Sequence, residues 1–199
     1  MFHISRHANI ILIFLVIVAV GYAFAMFWQG KNQAPKDFTD ARIQGAAIAE
    51  DIVALSAQST DDLQKVNQYD QEGDYTDALT LTTNLVIQSQ QIRDKAVSLS
   101  MQIENMTKTL SSINSDDARQ AALEAITSRL ALVNQLVNYS GDLGTLLDTL
   151  RDRFIGKPTQ AGRVQALVDQ INTDVAAVNN FNTQATQAMT QFDAIMAKQ

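Results

Sequence analysis

The sequence is 199 residues long, with 15 Lys and Arg, 21 Asp and Glu, and no cysteine. Residues 1–30 hold only one of these charges, Arg6, so residues 31–199 carry 14 bases and 21 acids, a net charge of −7. This acidic balance argues against nucleic-acid binding, which needs a basic face to displace counterions from phosphates. The lack of cysteine excludes disulfides, thiolate metal ligands and cysteine nucleophiles.

The first element is an uncharged apolar segment from Ala8 to Trp28. As a helix, a segment of this length would span about 30 Å, the hydrocarbon thickness of a bilayer. Aromatic residues gather at its C-terminal end, as in an interfacial belt: Tyr22, Phe24, Phe27 and Trp28. We therefore expect residues 1–30 to form a short tail and a transmembrane signal-anchor, followed by a polar linker over residues 31–36.

A cleaved signal peptide is the alternative interpretation of this segment. Ala23-Phe24-Ala25 fits the small-x-small pattern for cleavage after Ala25. We favour a retained single-pass anchor because the hydrophobicity continues through Met26, Phe27 and Trp28. Lysine and arginine counts on the two sides do not decide the orientation. Because a short tail before a single anchor commonly stays cytoplasmic, we expect the C-terminal part to be extracytoplasmic, either periplasmic or at the cell surface.

From Asp37 onward, the apolar residues recur at intervals of three and four, which is the period of an amphipathic helix. The pattern predicts four helices, roughly over residues 37–71, 76–113, 116–155 and 160–199. At about 1.5 Å per residue, each would be roughly 52–62 Å long. Matched lengths and tight turns predict an all-α, antiparallel, up-down-up-down four-helix bundle over residues 37–199, with coiled-coil-like packing.

Local signals mark the predicted ends of the third and fourth helices. Ser115 is a natural N-cap for the third helix, and Gly156-Lys157-Pro158 is a stop signal at its end. Thr159 is the expected N-cap of the fourth helix. The connection between these two helices is therefore expected to be short.

Several polar or flexible positions interrupt the helical pattern. The polar stretch Ser56–Asp62 could kink or fray the first helix, and Gly141 and Gly144 mark either close packing or a break in the third. We expect the third helix to be continuous. Ser89 and Asn182, at or near the apolar seam, could set the register of the helices or face a partner helix.

Histidine and cysteine are absent from the predicted bundle, so among common acid–base sites only a pair of carboxylates remains available. His3 and His7 both precede the apolar segment, so the usual nucleophile–base sites and Glu-x-x-His metal sites cannot be built. The run Asp70–Asp74 begins like an EF-hand loop, but Tyr75 and Leu81 occupy the positions of the required Gly and Glu. We expect a protein that is not an enzyme and has no catalytic residue, metal or cofactor.

In an up-down-up-down bundle, the first and third turns lie together at the end far from the anchor. Here these turns carry opposite charges. The acidic residues are Asp70, Glu72, Asp74 and Asp77, and the basic residues are Arg151, Arg153, Lys157 and Arg163. These eight residues, the charged tip, either neutralise one another and fix the helix pairing or form a docking surface for a partner.

These features predict a membrane-anchored interaction or scaffold module that binds a protein partner or self-associates. The alternative is an exported sensory or ligand-binding four-helix domain, by analogy of fold alone with bacterial receptors. Such receptor domains return to the membrane through a second span. Since no second apolar span follows Asp37, a signal would have to pass to another protein. An envelope-disruption or assembly factor also fits, without specific support.

Overall fold

The computed structural model describes residues 34–160 and 162–198. These residues form four long helices: α1 (Lys36–Glu72), α2 (Tyr75–Thr109), α3 (Asp116–Phe154) and α4 (Arg163–Met196). One 3-10 turn, Leu110–Ser112, extends α2, and the described residues contain no strand. The predicted all-α class is confirmed. The predicted anchor, Ala8 to Trp28, lies outside the described residues, and none of the described helices is long and apolar enough to span a membrane.

The ends of the helices are set by local hydrogen bonds. Gly73 ends α1 in the left-handed conformation at φ 76°, where its N–H reaches the Tyr69 carbonyl. The Asp74 side chain then accepts a bond from the Asp77 N–H and caps α2. The predicted Ser115 cap of α3 is confirmed, since its hydroxyl accepts from the Ala118 N–H at 3.2 Å.

The predicted start of the fourth helix is wrong. α4 begins at Arg163 rather than just after Thr159, so its connection to α3 is longer than the tight turn that was predicted. Gly156 and Gly162 both adopt left-handed conformations, with φ of 78° and 77°. Together with Pro158, which disfavours a helical residue before it, these glycines hold residues 157–160 outside either helix.

The polar stretch Ser56–Asp62 does not interrupt α1, because its side chains find partners on α2. The Ser59 hydroxyl donates to the Gln88 amide oxygen at 2.7 Å, and the Gln88 amide nitrogen donates to Asp62 at 3.1 Å. All three side chains are buried. α3 is likewise continuous, as predicted, and an added Cβ would meet no neighbour at Gly141 and only ordinary contact at Gly144.

Helices adjacent in sequence pack most closely against each other. At one end, the base, α1 and α4 meet through the rings of Phe38 and Phe192, whose centroids are 5.2 Å apart. At the other end, the tip, Tyr75 stacks on Phe154 with centroids 5.9 Å apart. A core of aliphatic side chains joins the two ends, among them Leu85, Ile92, Leu143, Leu147 and Met189.

Candidate functional site: the tip and its cavity

The structure brings one acid and one base of the charged tip together. The Arg153 guanidinium donates to both carboxylate oxygens of Asp70, at 2.9 and 3.1 Å, and so links α1 to α3. This pair supports the interpretation that the two turns neutralise each other, although only for these two residues. Because the Arg153 side chain is 43% exposed, the pair contributes little to stability.

Three other charged residues of the tip form contacts close to them in the sequence. Arg151 pairs with Asp148 one helical turn away at 3.0 Å, and Lys157 pairs with Asp152 at 2.9 Å. Glu72 accepts a hydrogen bond from Gln68, again one turn away. Acidic and basic groups therefore remain exposed at the tip.

Beneath the Asp70–Arg153 pair lies an apolar cavity of about 160 Å³, which we call the tip cavity. α1, α3 and α4 contribute its walls. The apolar lining residues are Leu63, Val66, Leu146, Leu150, Phe154, Val164, Val168 and Ile171. The polar side chains at its edge are Thr60, Asn67, Asp70 and Arg153. The cavity exists because α1 and α4 approach each other less closely than sequential helices do.

Sequence patterns place these apolar residues on buried faces but do not show that they leave a space. The volume depends on the separation of three helices, together with the short side chains Val164 and Val168 that α4 offers here. No sequence signal could have located the cavity. It was found only from the tertiary arrangement.

The structure also buries charged residues at the base that the sequence pattern does not distinguish from surface residues. Arg42 donates from both terminal nitrogens to the two oxygens of Asp193, each at 2.8 Å. Arg129, only 5% exposed, lies near both. Burial and the charge of Arg42 lower the pKa of Arg129 to about 10, and the charge of Asp193 opposes that shift.

A second buried polar group lies between α3 and α4. One oxygen of Asp174, a residue 1% exposed, accepts from the amides of Gln135 at 2.6 Å and Gln170 at 3.1 Å. Burial, together with the neighbouring carboxyl of Asp142, raises the pKa of Asp174 to about 6, although the hydrogen bonds from Gln170 and Gln135 oppose that shift. The Ser89 and Asn182 side chains are also buried, so these polar seam residues face the bundle interior.

The described residues contain no group of three or more side chains suited to hold a metal ion. No protein-family model, curated protein or solved structure matches the chain. The tip cavity and the charged residues around it are therefore the features that indicate a function.

Proposed function

We propose that the protein is a membrane-anchored, non-enzymatic interaction module that holds its tip outside the cytoplasm and docks a protein partner there. The apolar segment Ala8 to Trp28 supports the anchor, and the tip cavity is the observation that supports docking. With 37 residues, α1 reaches about 55 Å from base to tip. The bundle would act as a spacer that presents the docking site away from the bilayer.

The tip combines an apolar cavity with polar residues at its edge, an arrangement that suits a small protein–protein interface. Interfaces commonly place an apolar anchor side chain in a central pocket and surround it with a polar rim. A cavity of about 150 Å³ is known to hold a benzene ring, so the 160 Å³ tip cavity suits a single leucine, isoleucine or phenylalanine side chain. Exposed acidic and basic groups at the tip would orient a partner of complementary charge.

Filling the cavity tests this proposal. In the full-length protein, Val168→Phe places an aromatic ring in the tip cavity, and Val97→Phe makes the same change at a half-exposed position on α2. Crosslinking in intact cells should yield a defined partner species with the wild type and Val97→Phe, and lose it with Val168→Phe. Undiminished crosslinking by Val168→Phe would contradict docking in the cavity.

A second pair of variants tests the rim without altering the cavity. Arg151→Glu reverses an exposed charge whose own partner, Asp148, is local, so the Asp70–Arg153 link survives. Arg93→Glu on α2 is the matched control. We expect Arg151→Glu to weaken partner capture with helicity unchanged, and Arg93→Glu to have no effect. Equal capture by both variants would count against a charged docking rim.

The second candidate function is a ligand-binding domain of the sensory type, favoured by the apolar lining and volume of the same cavity. A small apolar ligand that binds only the folded state would raise the melting temperature. A thermal-shift measurement with benzene and indole as probes distinguishes the two functions. A shift in the wild type that Val168→Phe abolishes, without any crosslinked partner, would favour ligand binding.

A further inference from the structure

A second concave surface lies on the other side of the bundle from the charged α1–α2 side, between the outer faces of α3 and α4. It is a groove of about 560 Å³, distinct from the tip cavity. The groove is lined by Leu123 and Thr127 of α3 and by Gln184, Gln187 and Gln191 of α4. We call these residues, together with Leu130 further along α3, the groove face. Leu123 and Leu130 are 44% and 42% exposed, one heptad apart.

The groove face is nearly free of charge in a strongly charged protein. α4 has no charged residue from Val175 to Phe192, and among the residues that line the groove only Glu124 is charged. The α1–α2 side is different, since exposed charges are spread along it, among them Glu50, Asp61, Arg93 and Asp94. Depletion of charge around partly exposed apolar residues is typical of protein interfaces.

The net charge of residues 31–199 indicates which kind of partner suits the groove face. Two copies of a domain with net charge −7 repel each other wherever their acids come within the screening length of about 8 Å. A face whose lining holds one charged residue, Glu124, brings two copies together at less of that cost. A strongly basic partner would instead be drawn to the acidic surfaces elsewhere on the bundle.

The chemistry of the groove face is also self-complementary. A glutamine amide carries both donors and an acceptor, so glutamines on identical faces can pair with one another across a two-fold axis. The partly exposed Leu123 and Leu130 add apolar contact area to the groove face, and an isologous contact uses the same patch on both copies. We propose that two copies of this chain pair through the groove face. The pairing stands independently of the tip, whereas a parallel orientation would follow from the proposed anchor.

The mass of the full-length protein in detergent provides the first test. Sedimentation should give a dimer for the wild type. Leu130→Glu, which places a charge on the groove face, should convert it to a monomer. Ile87→Glu, at a half-exposed position on α2, is the matched control and should remain dimeric. A monomeric wild type, or a dimer that survives Leu130→Glu, would overturn the proposal.

Single thiols provide the second test, because the chain has no cysteine of its own. Thr127 and Thr83 are exposed helical threonines, and each donates to the carbonyl four residues earlier at 2.9 Å. After mild oxidation in membranes, Thr127→Cys should give a disulfide-linked dimer and Thr83→Cys should not, since a disulfide needs Cα atoms within about 7 Å. Crosslinking of Thr83→Cys alone would place the interface elsewhere.

These outcomes are separable from those of the tip experiments. Val168→Phe should leave the dimer mass unchanged, and Leu130→Glu should leave partner capture at the tip unchanged. Failure of one proposal therefore does not remove the other.

Discussion

An Asp193→Asn substitution should destabilise the bundle well beyond the loss of an exposed ion pair. The Asp193 carboxylate accepts two 2.8 Å hydrogen bonds from Arg42, and its charge also acts on the buried Arg129. The side chains of Arg42 and Asp193 are 10% and 25% exposed. The amide would remove the negative charge that acts on the largely buried guanidinium groups of Arg42 and Arg129, and would leave their mutual repulsion.

The size of the effect follows from this burial. Removal of one partner from a buried ion pair costs about 3–5 kcal/mol, and the partial exposure of Asp193 reduces our expectation to about 2–4 kcal/mol. For a domain of this size, each kcal/mol lowers the melting temperature by about 2–4 °C, which predicts a fall of roughly 4–16 °C.

Thermal unfolding of the full-length protein, followed by circular dichroism at pH 7, measures the change. Asp40→Asn is the matched control, because Asp40 accepts from Lys36 at 2.7 Å in an exposed i,i+4 pair. Water screens that pair, so its loss should change the melting temperature little. Equal shifts for the two variants would refute the argument that burial, rather than hydrogen-bond length, determines the cost.

Two further predictions concern the interior. The pKa of Asp174 is raised from 3.8 to about 6, with Asp142 contributing, so its contribution to stability is complete below about pH 4 and is lost as the pH rises through 6. Asp174→Asn should remove that pH dependence from urea unfolding, whereas Asp169→Asn, on the exposed face of the same helix, should retain it. Leu147→Ala should cost about 2–5 kcal/mol because Leu147 is fully buried. If Leu123→Ala, at an exposed position, costs as much in the same urea assay, the assignment of the core is wrong.

The number and order of the helices were predictable because helical period and capping are local. The first helix was expected over residues 37–71 and spans Lys36–Glu72. The Ser115 cap was predicted for the same reason, since its hydrogen-bond partner is three residues away. The start of α4 was not predicted, because Thr159 resembles a cap in isolation and the left-handed turn at Gly162 overrides it.

The helical pattern did not predict which polar side chains are buried. Arg42 and Asp193 are 151 positions apart, and Ser59 and Gln88 are 29 apart. Each of these side chains looks like a solvated helix residue in its own segment. Burial of such a polar side chain is unfavourable unless another helix supplies a hydrogen-bond or ion-pair partner. The local sequence cannot show that partner.

For the tip, the sequence alone determined which charged residues the two turns carry. Because the four helices were expected to alternate in direction, it also predicted that these two turns lie at the same end. Which charges pair was decided by tertiary structure, which joins Asp70 to Arg153 and leaves Arg151 and Lys157 in local contacts. The tip cavity is likewise a tertiary property. Helix formation depends on residues within about four positions of one another, whereas a cavity depends on how completely side chains from three helices fill the space between them.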